Sequence, residues 1–221
     1  MNKRLLIPFL SGIAFIVLTA RASAQMPGST GSPLQEAKGK ITGVLVNRSP
    51  GGTIPLSLSI MLHILDRDYN QVGMLHTRSL PDGSFLFEDV PLDPNEFYAG
   101  IVSYKGATYY SQPVPYDGKT APNLEIPIYE TTKDVSKLQI DEIHVLFNFA
   151  EDGLEVSEIY ALSNLDDYTI TGTLTLADGT PATIKFPLPA QADYVFFKPD
   201  ATDRFVKLDK GFADKAPLVP G

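Results

Sequence analysis

Three histidines, His63, His76 and His144, are the side chains of this sequence best suited to bind a metal or move a proton at neutral pH. His63 and His76 fall in neighbouring predicted strands, where two side chains can approach each other across a sheet. A zinc site would need a third ligand or the H-E-x-x-H spacing, and the sequence supplies neither. We therefore expect exposed strand or rim histidines and no bound metal.

The segment 66–70, Asp-Arg-Asp-Tyr-Asn, has the alternating oxygen ligands of a calcium loop. The next position is Gln71, where an EF-hand needs glycine, and Thr77 stands where it needs a bidentate glutamate. Since the pattern fails at both positions, the segment is expected to be a solvated loop between strands.

Nucleophilic chemistry has little support in the composition. The chain has no cysteine, which excludes disulfides, thiolate metal sites and cysteine nucleophiles. There is no G-x-S-x-G elbow, no S-x-x-K motif in a suitable context and no glycine-rich phosphate loop. The acidic pairs at 151–152 and 166–167 are expected to form turns. The sequence thus predicts no catalytic residue and no cofactor. An envelope hydrolase, the least favoured alternative, would need His63, His76 and an acidic residue to converge in a pocket.

Five tyrosines lie within nineteen residues, at Tyr98, Tyr104, Tyr109, Tyr110 and Tyr116. If 108–112 is a strand, the adjacent Tyr109 and Tyr110 point to opposite faces, so at least one is exposed or on a rim. Exposed tyrosines stack on sugar rings or anchor protein contacts, whereas buried ones pack the ring and hydrogen-bond the hydroxyl. Tyr104, Tyr109 and Tyr110 are therefore candidate ligand-binding residues, with structural packing as the alternative. The absence of tryptophan weakens the sugar hypothesis.

The amino terminus predicts export. Residues 2–4, Asn-Lys-Arg, precede the uncharged apolar run 5–20, and Ala-Ser-Ala at 22–24 fits a signal-peptidase site. The run is shorter than the roughly 20 residues that span a bilayer. We expect a signal peptide over residues 1–24, with an uncleaved anchor as the alternative. The Pro-, Gly- and Ser-rich segment 25–37 is expected to be a flexible linker.

The charge balance excludes several partners. The chain has 18 Lys and Arg against 26 Asp and Glu, a formal net charge of -8. Removing residues 1–24 takes away three cations and no anion, so -8 becomes -11. This acidity opposes attraction to nucleic acid and anionic lipid. No later segment is apolar enough to cross a membrane, so we expect a soluble extracytoplasmic product, secreted or in the cell envelope.

Alternation with a period of two predicts β-strands after Gly39. It is clearest in 56–65, where Leu and Ile at the even positions share one face. Other strands are predicted at 40–47, 71–77, 84–87, 97–104, 108–112 and 124–129, with turn residues between them. About seven short strands at this spacing indicate a β-sandwich over 38–130.

The segments 39–47, GKITGVLVN, and 80–91, with Pro81-Asp82-Gly83 and Phe85, resemble the carboxypeptidase regulatory-like domain, a prealbumin-like and Ig-like β-sandwich. The resemblance covers about residues 38–129. On physical grounds, Gly43 permits a close approach to the first strand, and a hairpin at Asp82-Gly83 directs Phe85 and Phe87 into the core. The resemblance implies a non-catalytic accessory, adhesive or spacer module.

A polar connection near 131–134 predicts a boundary, followed by a second sandwich over 135–221. Strands 143–149 and 154–162 are expected to form a hairpin. Further strands are predicted at 168–176, 182–188, 194–197 and 205–208. The sequence 156–164 resembles the second sandwich that accompanies such domains in bacterial envelope proteins. Because those chains commonly continue, the resemblance leaves open a C-terminally incomplete sandwich and a membrane anchor beyond it.

Together these patterns predict an all-β protein with two consecutive Ig-like or prealbumin-like β-sandwich domains after a signal peptide. The expected function is a structural, adhesive or interaction module of the bacterial envelope, with an envelope protein or a surface glycan as partner. A carbohydrate-binding module that uses exposed tyrosines is the alternative. The sequence does not indicate an oligomeric state.

Overall fold

A computed structural model describes residues 38–151, 153–190, 192, 197 and 203–221, all of which belong to one compact unit. In these ranges the chain is all-β, and it has no helix that is long and apolar enough to cross a membrane. The predicted signal peptide over 1–24 and the linker over 25–37 lie outside the described residues, as does most of the predicted strand 194–197.

The first eight strands form two sheets. They are β1 (Lys38–Asn47), β2 (Ser59–Leu65), β3 (Gln71–Arg78), β4 (Ser84–Pro91), β5 (Phe97–Tyr104), β6 (Ala107–Tyr110), β7 (Val114–Pro115) and β8 (Asn123–Ile128). One sheet has the order β4-β1-β8, in which β1 pairs antiparallel with β4 and parallel with β8. The other has the order β3-β2-β5-β6, and β7 also pairs with β5.

The two sheets share one apolar core. In β2 the alternation predicted from the sequence points Ile60, Leu62 and Ile64 inward, and all three are buried. They pack with inward residues of the other sheet, among them Ile41 and Ile126. Because alternate residues point away from this core, each sheet also presents an outer face.

Gly43 and Gly83 act largely as the sequence predicts. A Cβ on Gly43 would lie 2.2 Å from the ring of Phe85, so only glycine lets this buried ring cross β1. Gly83 has a φ of 87°, which favours glycine, in the turn that follows Asp82. The expected hairpin is wrong, however, because this turn joins β3 to β4 in the other sheet. β3 and β4 are consecutive and each has one face toward the core, but they belong to different sheets and do not pair.

Nine further strands follow in the described part of the chain. They are β9 (Thr131–Thr132), β10 (Leu138–Ala150), β11 (Gly153–Asn164), β12 (Thr169–Ile170), β13 (Leu174–Thr175), β14 (Pro181–Ala182), β15 (Ile184–Pro187), β16 (Phe205–Leu208) and β17 (Gly211–Asp214). β10 and β11 form the predicted hairpin, and β15-β17-β16 form a three-stranded sheet. The ring of Phe186 on β15 stacks on Phe212 and contacts Tyr160 at the base of the hairpin. The two-sandwich organisation stays a prediction.

Buried hydrogen bonds tie the later strands to the first two sheets. The Tyr109 hydroxyl lies 2.7 Å from the hydroxyl of Thr169, and both residues are buried. Ser49 donates its hydroxyl to the carbonyl oxygen of Asp167 and accepts the backbone N–H of Glu130. These bonds fix the segment after β8 against the first pair of sheets.

We expect Gly43→Ala to lower the free energy of unfolding by about 2–3 kcal/mol, because the new methyl group would overlap both Phe85 and the Leu124 carbonyl oxygen. Gly153→Ala is the matched control, since no atom lies within 4 Å of the added carbon. Urea unfolding of the two variants measures the difference. Equal stability of the two variants would contradict the close packing at Gly43.

Candidate functional site

The three candidate tyrosines occupy different environments. Tyr109 is 3% exposed, and its hydroxyl is held by Thr169 and by the carbonyl oxygen of Tyr129. Tyr110 points the other way and is 60% exposed. Tyr104 is half-buried and donates its hydroxyl to Glu130. As predicted, one of the adjacent pair is outside, and it is Tyr110 whose ring is exposed to solvent.

Glu130 is the centre of a polar cluster beside Tyr104. Its carboxylate accepts hydrogen bonds from Tyr104 and Asn47, each at 2.9 Å, and forms a salt bridge with Lys105. The hydrogen bond from Lys105 is the main reason why the pKa of Glu130 lies below its ordinary value. Burial and the anionic partner raise the pKa of Tyr104. With these donors engaged, the cluster stabilises the end of β8 rather than offering a free acid.

The outer face of the larger sheet carries exposed rings. Tyr110 on β6 pairs with Ile101 on β5, and four residues earlier on the same strand face lies Phe97. At about 3.3 Å per residue, these positions are about 13 Å apart along β5. His63 on β2 lies opposite Ala99, midway between them on the same face. We call Tyr69, Phe97, His63 and Tyr110 the aromatic face.

One end of the aromatic face opens into a shallow cleft of about 360 Å³, whose lining includes Arg67, Asn95 and Phe97. The ring of Tyr69 stacks on Phe97 with 5.2 Å between the ring centroids, yet Tyr69 remains 60% exposed. The guanidinium of Arg67 donates to the side-chain oxygen of Asn95. An open aromatic ring thus lies beside hydrogen-bonding side chains at the end of a sheet.

The loop 66–70 holds Tyr69 in this position. The Asp66 carboxylate accepts the backbone N–H groups of Asp68 and Asn70 and the side-chain amide of Asn70. The bonds from Asn70 are the main cause of the lowered pKa of Asp66. Tyr69 has a φ of 62°, which is costly for a bulky residue. The D-x-D-x-N pattern therefore marks a turn in which Asp66 orders the backbone.

A buried tyrosine positions the facing loop. The Tyr98 hydroxyl accepts the backbone N–H of Asp93 and donates to the carbonyl oxygen of Pro91. Burial raises the pKa of Tyr98 well above its ordinary value. Asp93 in turn accepts both the backbone and the side-chain N–H of Asn95. This chain of bonds fixes the orientation of Asn95 from the core outward.

The histidines do not form a cluster with acidic residues. His63 pairs with Met74, and His76 pairs with Met61, so the two histidines are diagonal neighbours on the outer face. His144 is exposed and contacts Glu142. Among the described residues, no three His, Asp or Glu side chains lie close enough to hold a metal ion. The convergence that a histidine-based hydrolase would need is not found in this part of the chain.

The hairpin of β10 and β11, which we call the arm, has one strongly apolar face. Register places Ile143 opposite Tyr160, Phe147 opposite Val156 and Phe149 opposite Leu154. Six aliphatic and aromatic side chains on this face are all exposed, from 42% at Val145 to 84% at Phe149. These six residues, the apolar face of the arm, are Ile143, Val145, Phe147, Phe149, Leu154 and Val156.

The opposite face of the arm is more polar. Asn148 hydrogen-bonds Glu155 across the strands, and Ser157 pairs with Leu146. Leu146 is 59% exposed and directly precedes Phe147, which is 61% exposed on the apolar face. Leu146 and Phe147 are thus equally exposed apolar side chains on opposite faces of the arm, and the faces differ in the polarity of their other residues.

No protein-family model matches the chain, and no curated protein matches it significantly. The sequence made Tyr110 a candidate and predicted the hairpin of the arm, whereas Tyr69 was not among the candidates, because its loop was interpreted through its acidic residues. The available signal for an exposed aromatic pair was Tyr69 in this loop together with Phe97 at the start of a predicted strand.

We expect Glu130→Gln to lower the free energy of unfolding by about 1 kcal/mol at pH 7. The folded pKa of Glu130 is lowered, so its stabilisation is present above the ordinary value of 4.5 and is lost as the pH falls through the folded pKa. The difference between wild type and variant should therefore shrink below about pH 4.

Denaturant unfolding at several pH values measures this difference. Glu88→Gln is the control, because the pair of Glu88 with Lys40 is exposed on both sides and solvent screens it. A stability difference for Glu130→Gln that is independent of pH would contradict the charged role of this carboxylate.

Proposed function

We propose that this chain is an exported, non-catalytic interaction module of the bacterial envelope, and that the apolar face of the arm is its recognition surface. The resemblance of residues 38–129 to the carboxypeptidase regulatory-like domain and the predicted signal peptide support the setting. In this proposal, the chain carries two Ig-like sandwiches, and the first is the rigid scaffold for recognition.

The observation that carries the proposal is the exposure of six apolar side chains on one face of a two-stranded ribbon. Their exposed area is on the order of 600 Å², as large as the largest apolar patch of a typical monomer. Patches of this size mark interaction sites.

The low stability of an isolated hairpin and the unpaired edges of the arm indicate what kind of partner covers it. A two-stranded hairpin is only marginally stable in water, and a third strand or a second layer is needed for independent stability. Among the described strands, β10 and β11 pair only with each other, so both outer edges retain backbone groups for a further strand. The partner that fits is an amphipathic β-strand or ribbon whose contacting face is aliphatic and aromatic.

Charge supports the same partner. Among the described strand residues on this face of the arm, Glu158 is the one acidic side chain; it lies midway along the arm, and its carboxylate accepts the hydroxyl of Tyr160 at 2.7 Å. Toward the tip, the described strand residues of this face carry no charge, and the acidic Glu151 lies beyond them in the turn. An apolar strand that covers these strand residues therefore buries no charged side chain between Phe147 and Leu154.

A photo-crosslinking amino acid placed at Phe147 in the full chain, in the cell that makes it, tests the proposal. We expect an adduct whose crosslinked peptide maps to a segment with alternating apolar residues. The matched control is the same label at Leu146, on the other face, which should give at least about tenfold less adduct.

Equal adducts from positions 146 and 147, or adducts that map only to lipid, would overturn the proposed recognition surface. A second variant, Phe147→Asp, should remove the contact with the partner. Its thermal unfolding should match that of the wild-type chain, which shows that the loss of contact is not caused by misfolding.

A further inference from the structure

We infer that the aromatic face is a binding site for neutral oligosaccharides, distinct from the apolar face of the arm and independent of the function proposed for it. The geometry that points to this ligand begins with two exposed rings, Tyr69 and Tyr110. Polar side chains lie at the cleft beside Tyr69 and between the two rings.

The rings are suited to sugars. A pyranose presents C–H groups on its faces and hydroxyls around its rim, so it needs an open aromatic face with hydrogen-bonding groups beside it. One face of the Tyr69 ring is covered by Phe97, which fixes its orientation, and the residue is still 60% exposed. Tyr110 is equally exposed and lies on a paired strand. Both rings are therefore presented to solvent on a fixed backbone at little entropic cost.

The polar groups are held in place before a ligand arrives. Asn95 is oriented by Asp93, and its side-chain oxygen accepts a hydrogen bond from one of the five N–H groups of Arg67. His63 lies between the two rings on the outer face. These groups supply donors and acceptors for sugar hydroxyls at the cleft and along the path to Tyr110.

The spacing selects an oligosaccharide. Phe97 and the partner of Tyr110, Ile101, are four residues apart on β5, about 13 Å along the strand. A single hexose ring is too short to contact both aromatic positions. A ligand that uses both must contain several linked sugars and lie along the sheet.

Charge selects a neutral ligand. Arg67 is the cation of the cleft, and acidic side chains of Asp68, Asp93 and Glu96 belong to the same two loops. A uronic acid polymer would meet these carboxylates, whereas neutral hydroxyls hydrogen-bond to them and to Arg67.

The backbone gives independent support. Tyr69 keeps a positive φ that is unfavourable for a tyrosine, and the loop is ordered by three bonds to Asp66. Strain of this kind at an exposed ring is typical of functional positions.

Titration calorimetry of the purified full chain with cello-, manno- and xylo-oligosaccharides, from dimers to hexamers, tests the inference. We expect saturable binding whose affinity rises with chain length up to the span of the two rings. Tyr69→Asn tolerates the positive φ and removes the ring, and Tyr110→Thr keeps the β-propensity of β6. Each should weaken binding by about tenfold or more.

Phe149→Thr is the matched control, because it removes an exposed strand ring on the arm and should leave the affinity unchanged. Binding that both tyrosine variants retain, tighter binding of oligogalacturonates than of the neutral series, or no binding by a chain with a cooperative unfolding transition would each overturn the inference. Equal affinity for monosaccharides would overturn its oligosaccharide specificity. None of these results depends on crosslinking at Phe147, so the two proposals can fail separately.

Discussion

A β-strand divides its side chains between two faces, and in this protein the first two sheets have enough apolar partners to bury one face each. Ile60, Leu62 and Ile64 meet Ile41 and Ile126 across the core. The alternate positions point away from this core, and some of them, such as Tyr110, are exposed, whereas the outward Ala99 and Ile101 are each only 6% exposed. The aromatic face is the outer side of one buried sheet. The arm is the extreme case, since no described strand pairs with either of its edges.

Much of the strand arrangement could be predicted from the sequence, because the alternation of apolar and polar residues indicates which face of a strand is buried. The strands predicted at 97–104 and 205–208 are confirmed, as is the pairing of β10 with β11, whereas the strand predicted at 56–65 begins only at Ser59 and Leu56 is exposed in the turn before it. The pair Tyr109 and Tyr110 had to point in opposite directions. Which of them lies inside depends on the register of β6 against β5, and the sequence of two identical residues cannot record it.

The remaining features depend on contacts between distant residues. The turn at Asp82-Gly83 has the residues of a hairpin, yet it crosses between sheets, because local turn chemistry does not specify the partners of the flanking strands. β17, Gly211–Asp214, was not predicted, since its sequence Gly-Phe-Ala-Asp shows no alternation of apolar and polar residues. The stacking of Tyr69 on Phe97 joins a loop to the first residue of β5, and the whole of β3 and β4 lies between them in the sequence.

The parallel pairing of β1 with β8 has a mechanical consequence. β1 is entered at Lys38 and β8 is left at Ile128, so tension applied through the chain pulls these adjacent strands along their length in opposite directions. Six paired positions, from Thr42 with Asn123 to Asn47 with Ile128, then bear the load together in shear instead of opening one after another. A sheet loaded in this geometry resists extension, which is the property needed by a segment that is held at one end and pulled at the other.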